Sequence, residues 1–98
     1  MNVLNLSAMI ISRNTIRYNH AGVPILEITL KSFSKVIEAG IERDVNLLIN
    51  SIVVGDLTNV INKIPNDKEF CVSGFIALKY RNSMSLRFHL QRIINLSD

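Results

Sequence analysis

The sequence predicts an all-β domain, a small five-stranded barrel with one short helix between its third and fourth strands. Three observations carry this reading. Apolar residues alternate at period two through most of the chain, which is the signature of half-buried strands. A single interior segment switches to helical spacing. Turn-forming residues separate the alternating runs at short intervals. The 98 residues are enough for one domain, residues 1–98, and 48% of them are apolar. A chain of this size buries roughly two-thirds of its unfolded surface, so it can hold a core without disulfides or metals.

Strand 1, Val3–Ile11, places Leu4, Leu6, Ala8 and Ile10 on one face and Asn5, Ser7 and Met9 on the other. Ser12–Gly22 is polar and reads as a turn region. Strand 2, Ile25–Phe33, turns Leu26, Ile28 and Leu30 inward and Glu27, Thr29 and Lys31 outward. Ser34–Glu42, charged and containing Gly40, is a loop or a long hairpin tip. Strand 3, Arg43–Val54, alternates through Val45, Leu47 and Ile49 and turns at Gly55, which leaves Asn46 outward. In Asp56–Ile64 the residues Leu57, Val60, Ile61 and Ile64 share one face of a two-turn helix, with Asp56 as N-cap and Pro65 blocking continuation. Strand 4, Glu69–Arg81, points Phe70, Val72, Ile76 and Leu78 inward, and Gly74 permits a sharp bend. After Asn82-Ser83, strand 5, Met84–Leu96, turns Leu86, Phe88 and Leu90 inward and Arg87, His89 and Gln91 outward. Three strands, a helix and two strands is the order of the OB-fold, a partly open Greek-key barrel, although other small β-barrels fit the pattern alone.

Composition removes several function classes. No apolar stretch reaches the roughly 18 residues of a membrane span. The N-terminus has neither a basic region nor an unbroken apolar run, so a soluble cytoplasmic protein is expected. The lone Cys71 lies in an apolar run and reads as a buried thiol in a reducing compartment. His20 and His89 have no partner in sequence that would make a catalytic dyad, and both read as surface residues. One Cys and two scattered His offer no metal-ligand spacing, and no Gly-rich phosphate loop follows a strand. No enzyme, cofactor or metal is expected.

Charge is distributed unevenly. Residues 1–37 carry four bases against one acid, residues 38–69 six acids against three bases, and residues 70–97 four bases and no acid. The loops joining strands 1 to 2 and 4 to 5 flank the binding face of an OB-fold, and both lie in the acid-poor segments. Arg13, Arg17, Tyr18 and His20 occupy the first, while Lys79, Tyr80, Arg81 and Arg87 flank the second. Lys31, Phe33 and Arg43 border the face between them, and Asn46 stands on it. Cations beside stackable side chains suit single-stranded nucleic acid, whereas the bland alternative is a set of solvated strand exteriors.

Three stretches resemble the primosomal replication protein N (PriB) family, which is related to bacterial single-strand DNA-binding protein. They are Asn2-Val-Leu-Asn-Leu-Ser-Ala, Ala21-Gly-Val-Pro-Ile-Leu-Glu-Ile-Thr-Leu-Lys and Val72-Ser-Gly-Phe-Ile-Ala, with Glu38-Ala-Gly-Ile-Glu-Arg between them. Their order, the chain length and the lack of an acidic tail after Asn95-Leu-Ser-Asp all fit. The resemblance implies a homodimeric OB-fold that binds single-stranded DNA, works with the primosomal helicase PriA at stalled forks, and hands over to DnaT where that protein exists. Lys79 and Arg81 match basic places of the family's 4–5 hairpin, and Arg17 matches one in the first loop. Leu86 breaks the pattern at a third basic place, beside Arg87. Asn46 stands where some relatives carry a stacking Trp, and Ile41 where an aromatic occurs. Affinity dominated by charge follows from those departures. A general single-strand DNA-binding protein and a protein-interaction OB domain are the competing readings.

Overall fold

The computed structural model describes residues 1–96. Its strands are β1 (Leu4–Arg13), β2 (Arg17–Tyr18), β3 (Pro24–Glu38), β4 (Ile41–Val54), β5 (Phe70–Leu78) and β6 (Leu86–Leu96), with helix α1 (Leu57–Ile61) between β4 and β5. The five strands read from sequence correspond to β1, β3, β4, β5 and β6. The two-residue β2 is an addition inside the first loop, paired to the start of β3.

The sheet runs β1-β5-β6-β4-β3 and closes through β1 and β3, which makes it a barrel. β1 serves both ends of the closure. Leu4–Ala8 pair with β5, and Met9–Arg13 pair with β3 across a register break between Ile10 and Ser12. Ser32 Oγ reinforces the crossing by donating to the Ser7 carbonyl at 2.7 Å. The β4–β6 pairing is parallel and short, Ser51 opposite Phe88 and Ile52 opposite His89. These are the connections of an OB-fold, as expected.

Alternation placed the core correctly in the barrel proper. Ala8, Ile10, Leu26, Ile28, Leu30, Val72, Phe70, Phe88 and Leu90 are buried together, and Ile61 and Ile64 close one end. It failed where strands leave the barrel. Leu78 and Leu86 are exposed rather than inward, because they face each other as the outermost β5–β6 pair, beyond the core. The helix is one turn, not two. Val60 is exposed while Thr58 is buried, donating through Oγ1 to the Gly55 carbonyl at 2.8 Å. Asp56 makes no side-chain cap, since its own backbone is already helical. Cys71 is half-buried on the outer face beside Ser7 Oγ, at 3.3 Å, and not in the core. His89 is half-buried too, stacked on Phe75 with ring centroids 4.5 Å apart. Burial, and then the Arg87 cation, hold its pKa below the ordinary histidine value.

Of the two readings of Ser34–Glu42, loop or long hairpin tip, the structure gives the hairpin, with strand on both sides of a turn at Ala39-Gly40. β3 and β4 stay paired out to Glu38 opposite Ile41, so the hairpin projects well past the barrel. Ala39 and Gly40 turn it with φ of 53° and 77°, the left-handed pair that a two-residue hairpin turn demands. Holding Ala39 there costs about 1 kcal/mol, whereas Gly40 adopts it freely.

Gly74 is required for a different reason. A Cβ on it would lie 1.9 Å from the His89 carbonyl oxygen of β6. Register breaks at Cys71/Val72 and Ser73/Gly74, just before this point, bend β5 into the closure. Gly74→Ala should therefore destabilise the protein by about 3 kcal/mol, as overpacking does, seen as a lowered urea midpoint. An unchanged midpoint would mean that β5 and β6 can separate there freely.

Candidate nucleic-acid interface

Side chains of β3 and β4 that point away from the core form one continuous outer face. Register pairs Thr29 with Asn50, Lys31 with Leu48 and Phe33 with Asn46, and Ser12 of β1 lies opposite Thr29. Six residue steps along the strand, from Glu27 to Phe33, make this track about 20 Å long. Phe33 is 49% exposed and Leu48 65%, with Ile11 beside them, so an apolar strip runs between the polar pairs.

The structure brings most of the expected residues to this face or its borders. Lys31, Phe33 and Asn46 stand on it, all exposed. Arg17 borders it from β2, exposed, with its Nε 3.8 Å from Glu27 Oε2. Lys79, Tyr80 and Arg81 occupy the β5–β6 turn, held by Ser83 N–H donating to the Tyr80 carbonyl and Lys79 N–H to the Ser85 carbonyl. Tyr80 and Arg81 are exposed, and the Lys79 ammonium lies 5.5 Å from the Tyr80 ring centre, a cation–π approach. Arg87 also reaches the face from β6, but its side chain is only 20% exposed and sits 3.6 Å from Glu27.

Arg43 does not join them. It lies on the opposite face of the hairpin, in phase with Val45, and donates to Glu38 at 2.8 Å. Ile41 is on that opposite face as well. Arg13, counted among the loop cations, is a structural group: it donates to the carbonyls of Asn62 and Ile64 and to Asn66 Oδ1, pinning the segment after α1. Lys35 is balanced by Glu42 and Asp44 at 3.4 and 3.8 Å, so the cationic track ends before the hairpin tip. Leu48 and Asn50 belong to the face and are missing from the sequence reading, which places Glu27 and Thr29 outward without assigning them to the site. Leu48 left a signal, an apolar residue on the outward phase between Asn46 and Asn50.

No group of three or more His, Cys, Asp or Glu side chains comes together among the described residues, and no helix there is long and apolar enough to cross a membrane. Cations around a half-apolar groove can neutralise phosphates and cover bases.

The profile of a family described as another single-strand binding protein family matches residues 2–92. A replication restart protein PriB from Bordetella pertussis is 38% identical over 92 residues, 94% of this chain and 86% of that protein. The three-dimensional structure of PriB from Ralstonia solanacearum superposes with a TM-score of 0.85 at 29% identity, covering 97% of each chain. The single-stranded DNA-binding protein of Thermus aquaticus shares the fold, with a TM-score of 0.74 at 18% identity over 99% of this chain and 50% of that one.

Asn46 faces outward on the track, directly opposite Phe33. Asn46→Trp should fold normally and tighten oligonucleotide binding up to about tenfold, if roughly 1.4 kcal/mol of stacking is gained. Its indole fluorescence should quench on addition of DNA. Normal folding with neither quenching nor tighter binding would mean that the strand does not cross this face.

Proposed function

The chain belongs to the single-strand binding protein family as a relative of the replication restart proteins PriB, and from that premise we propose that it binds single-stranded DNA as a non-catalytic accessory of replication restart. The observation that carries the reading is the outer β3–β4 face, where Lys31, Phe33, Leu48 and Asn46 continue outward from the end at which Arg17, Lys79 and Arg87 gather around Glu27. A backbone following this track meets Arg17, Lys31, Lys79, Arg81 and Arg87. Bases meet Phe33 and Leu48, with Tyr80 at the border. Acting at forks in the bacterial cytoplasm, the protein would support the helicase PriA, and DnaT where one is present. The absence of an aromatic at Asn46 favours, as a second reading, an OB domain in which protein contacts outweigh a weak hold on DNA.

A homodimer through β1 fits the same reading. Met1–Ser12 carry no charged side chain, although free strand edges are usually blunted by charge. Leu4–Ala8 pair only with β5 and Met9–Arg13 only with β3, so each half has one backbone edge free of strand partners. A two-fold pairing of β1 strands would use those edges. Sedimentation equilibrium at micromolar concentration should give twice the chain mass, and a monomer there would refute the dimer.

Titration of a labelled oligonucleotide at low and moderate salt tests the DNA reading. Each phosphate neutralised on a single strand steepens the logarithmic salt dependence by roughly 0.7. Replacing Lys79 and Arg81 together by Ala should weaken binding and flatten that slope by about 1.4, with the circular-dichroism spectrum unchanged. An unaltered slope would make the β5–β6 turn a solvated tip.

A further inference from the structure

Arg17, Glu27 and Arg87 stand as cation, carboxylate and cation beside a cleft of about 180 Å³ in the outer face. Glu27 Oε2 lies 3.8 Å from Arg17 Nε, and Glu27 Oε1 lies 3.6 Å from Arg87 Nη1. Both distances exceed hydrogen-bond length, so the carboxylate attracts two guanidinium groups without directly bonding either. Arg87 Nε is fully covered and has no acceptor among the described residues. A buried N–H left so is costly and calls for a partner. Ser12, Thr29 and Asn50 line the same cleft with hydroxyl and amide groups, and Lys79 adds an ammonium. Two lining cations, Arg87 and Lys79, with Arg17 reaching Glu27 from beside the cleft, several neutral donors and one carboxylate suit a compact oxyanion, and the arginine fork matches phosphate.

The bridge adds little to folding. Arg17 is more than half exposed and Glu27 one-third exposed, and such pairs contribute little to stability. Its position at the meeting point of β2, β3 and β6 points to a role in binding.

We propose that this cleft seats one backbone phosphodiester of the bound strand, and that Glu27 holds the place in the free protein as a competing internal anion. The inference rests on the single-stranded DNA reading and deepens it. When the strand arrives, Arg17 and Arg87 exchange carboxylate for phosphate and Glu27 turns to water. Glu27 thereby sets affinity below what the cations alone would give, keeping the hold weak enough to release the strand.

Glu27→Gln preserves the shape and removes the charge. The wild type and E27Q are titrated across a range of salt with an oligodeoxynucleotide and with an abasic oligonucleotide of the same length. E27Q should bind both roughly tenfold more tightly at low salt, with a slope steeper by about 0.7, because the cleft gains one net positive charge. Asn50→Asp places a second carboxylate on the cleft wall and should weaken both by about tenfold. Unchanged or weaker binding by a folded E27Q overturns the proposal, as does a gain confined to the oligonucleotide that carries bases. Should E27Q fail to fold, N50D decides, and undiminished binding by it overturns the proposal. A wild type that binds neither oligonucleotide would instead sink the DNA reading itself.

Discussion

β1 cannot satisfy its backbone with one neighbour. Its first half hydrogen-bonds to β5 and its second half to β3, and the change of partner at the Ile10–Ser12 register break turns a sheet into a barrel. The remaining architecture depends on that handover. It brings β3 against the start of the chain and packs Ala8 and Ile10 onto Leu26, Ile28 and Leu30. It sets Ser12 opposite Thr29, on the wall of the cleft that Glu27 and Arg87 share. Gly74 serves the same closure on the far side, where β5 passes too near the His89 carbonyl for any side chain.

Electrostatics divide the cations into groups with different work. Arg13 is consumed by the carbonyls that follow α1, and Arg43 and Lys35 by acids of the projecting hairpin. Those pairings hold local structure and leave little positive field. Lys31, Lys79 and Arg81 make no ion pair among the described residues, while Arg17 and Arg87 share one acid. Excess positive charge therefore concentrates over the barrel end of the β3–β4 face, although the whole chain carries a net charge of only +3.

Much of this could be read from residues alone, and the failures have physical causes. Period-two alternation located the inward residues of β1 and β3, because both faces of those strands have fixed environments. The same rule misplaced Leu78 and Leu86, since alternation reports which face a residue is on and not whether a core lies beneath it. Val60 was misplaced because a helix of one turn has too few residues to define a stripe. Arg43 shares its phase with Val45 and Leu47, so its opposite-face position was available in the sequence. The Arg13 carbonyl contacts and the Glu27–Arg87 approach were not, because they join segments brought together only by barrel closure.

The two-residue turn at Ala39-Gly40 carries a consequence for how such a hairpin changes over evolutionary time. Its arms are paired residue for residue from Ile25–Val54 out to Glu38–Ile41. Inserting a single residue into one arm would turn every side chain beyond it to the other surface. Adding two residues to each arm would leave every existing orientation intact and only lengthen the projection. The hairpin is thus free to grow or shrink in matched steps, and its reach can drift between lineages while Phe33 and Asn46 keep facing the same way.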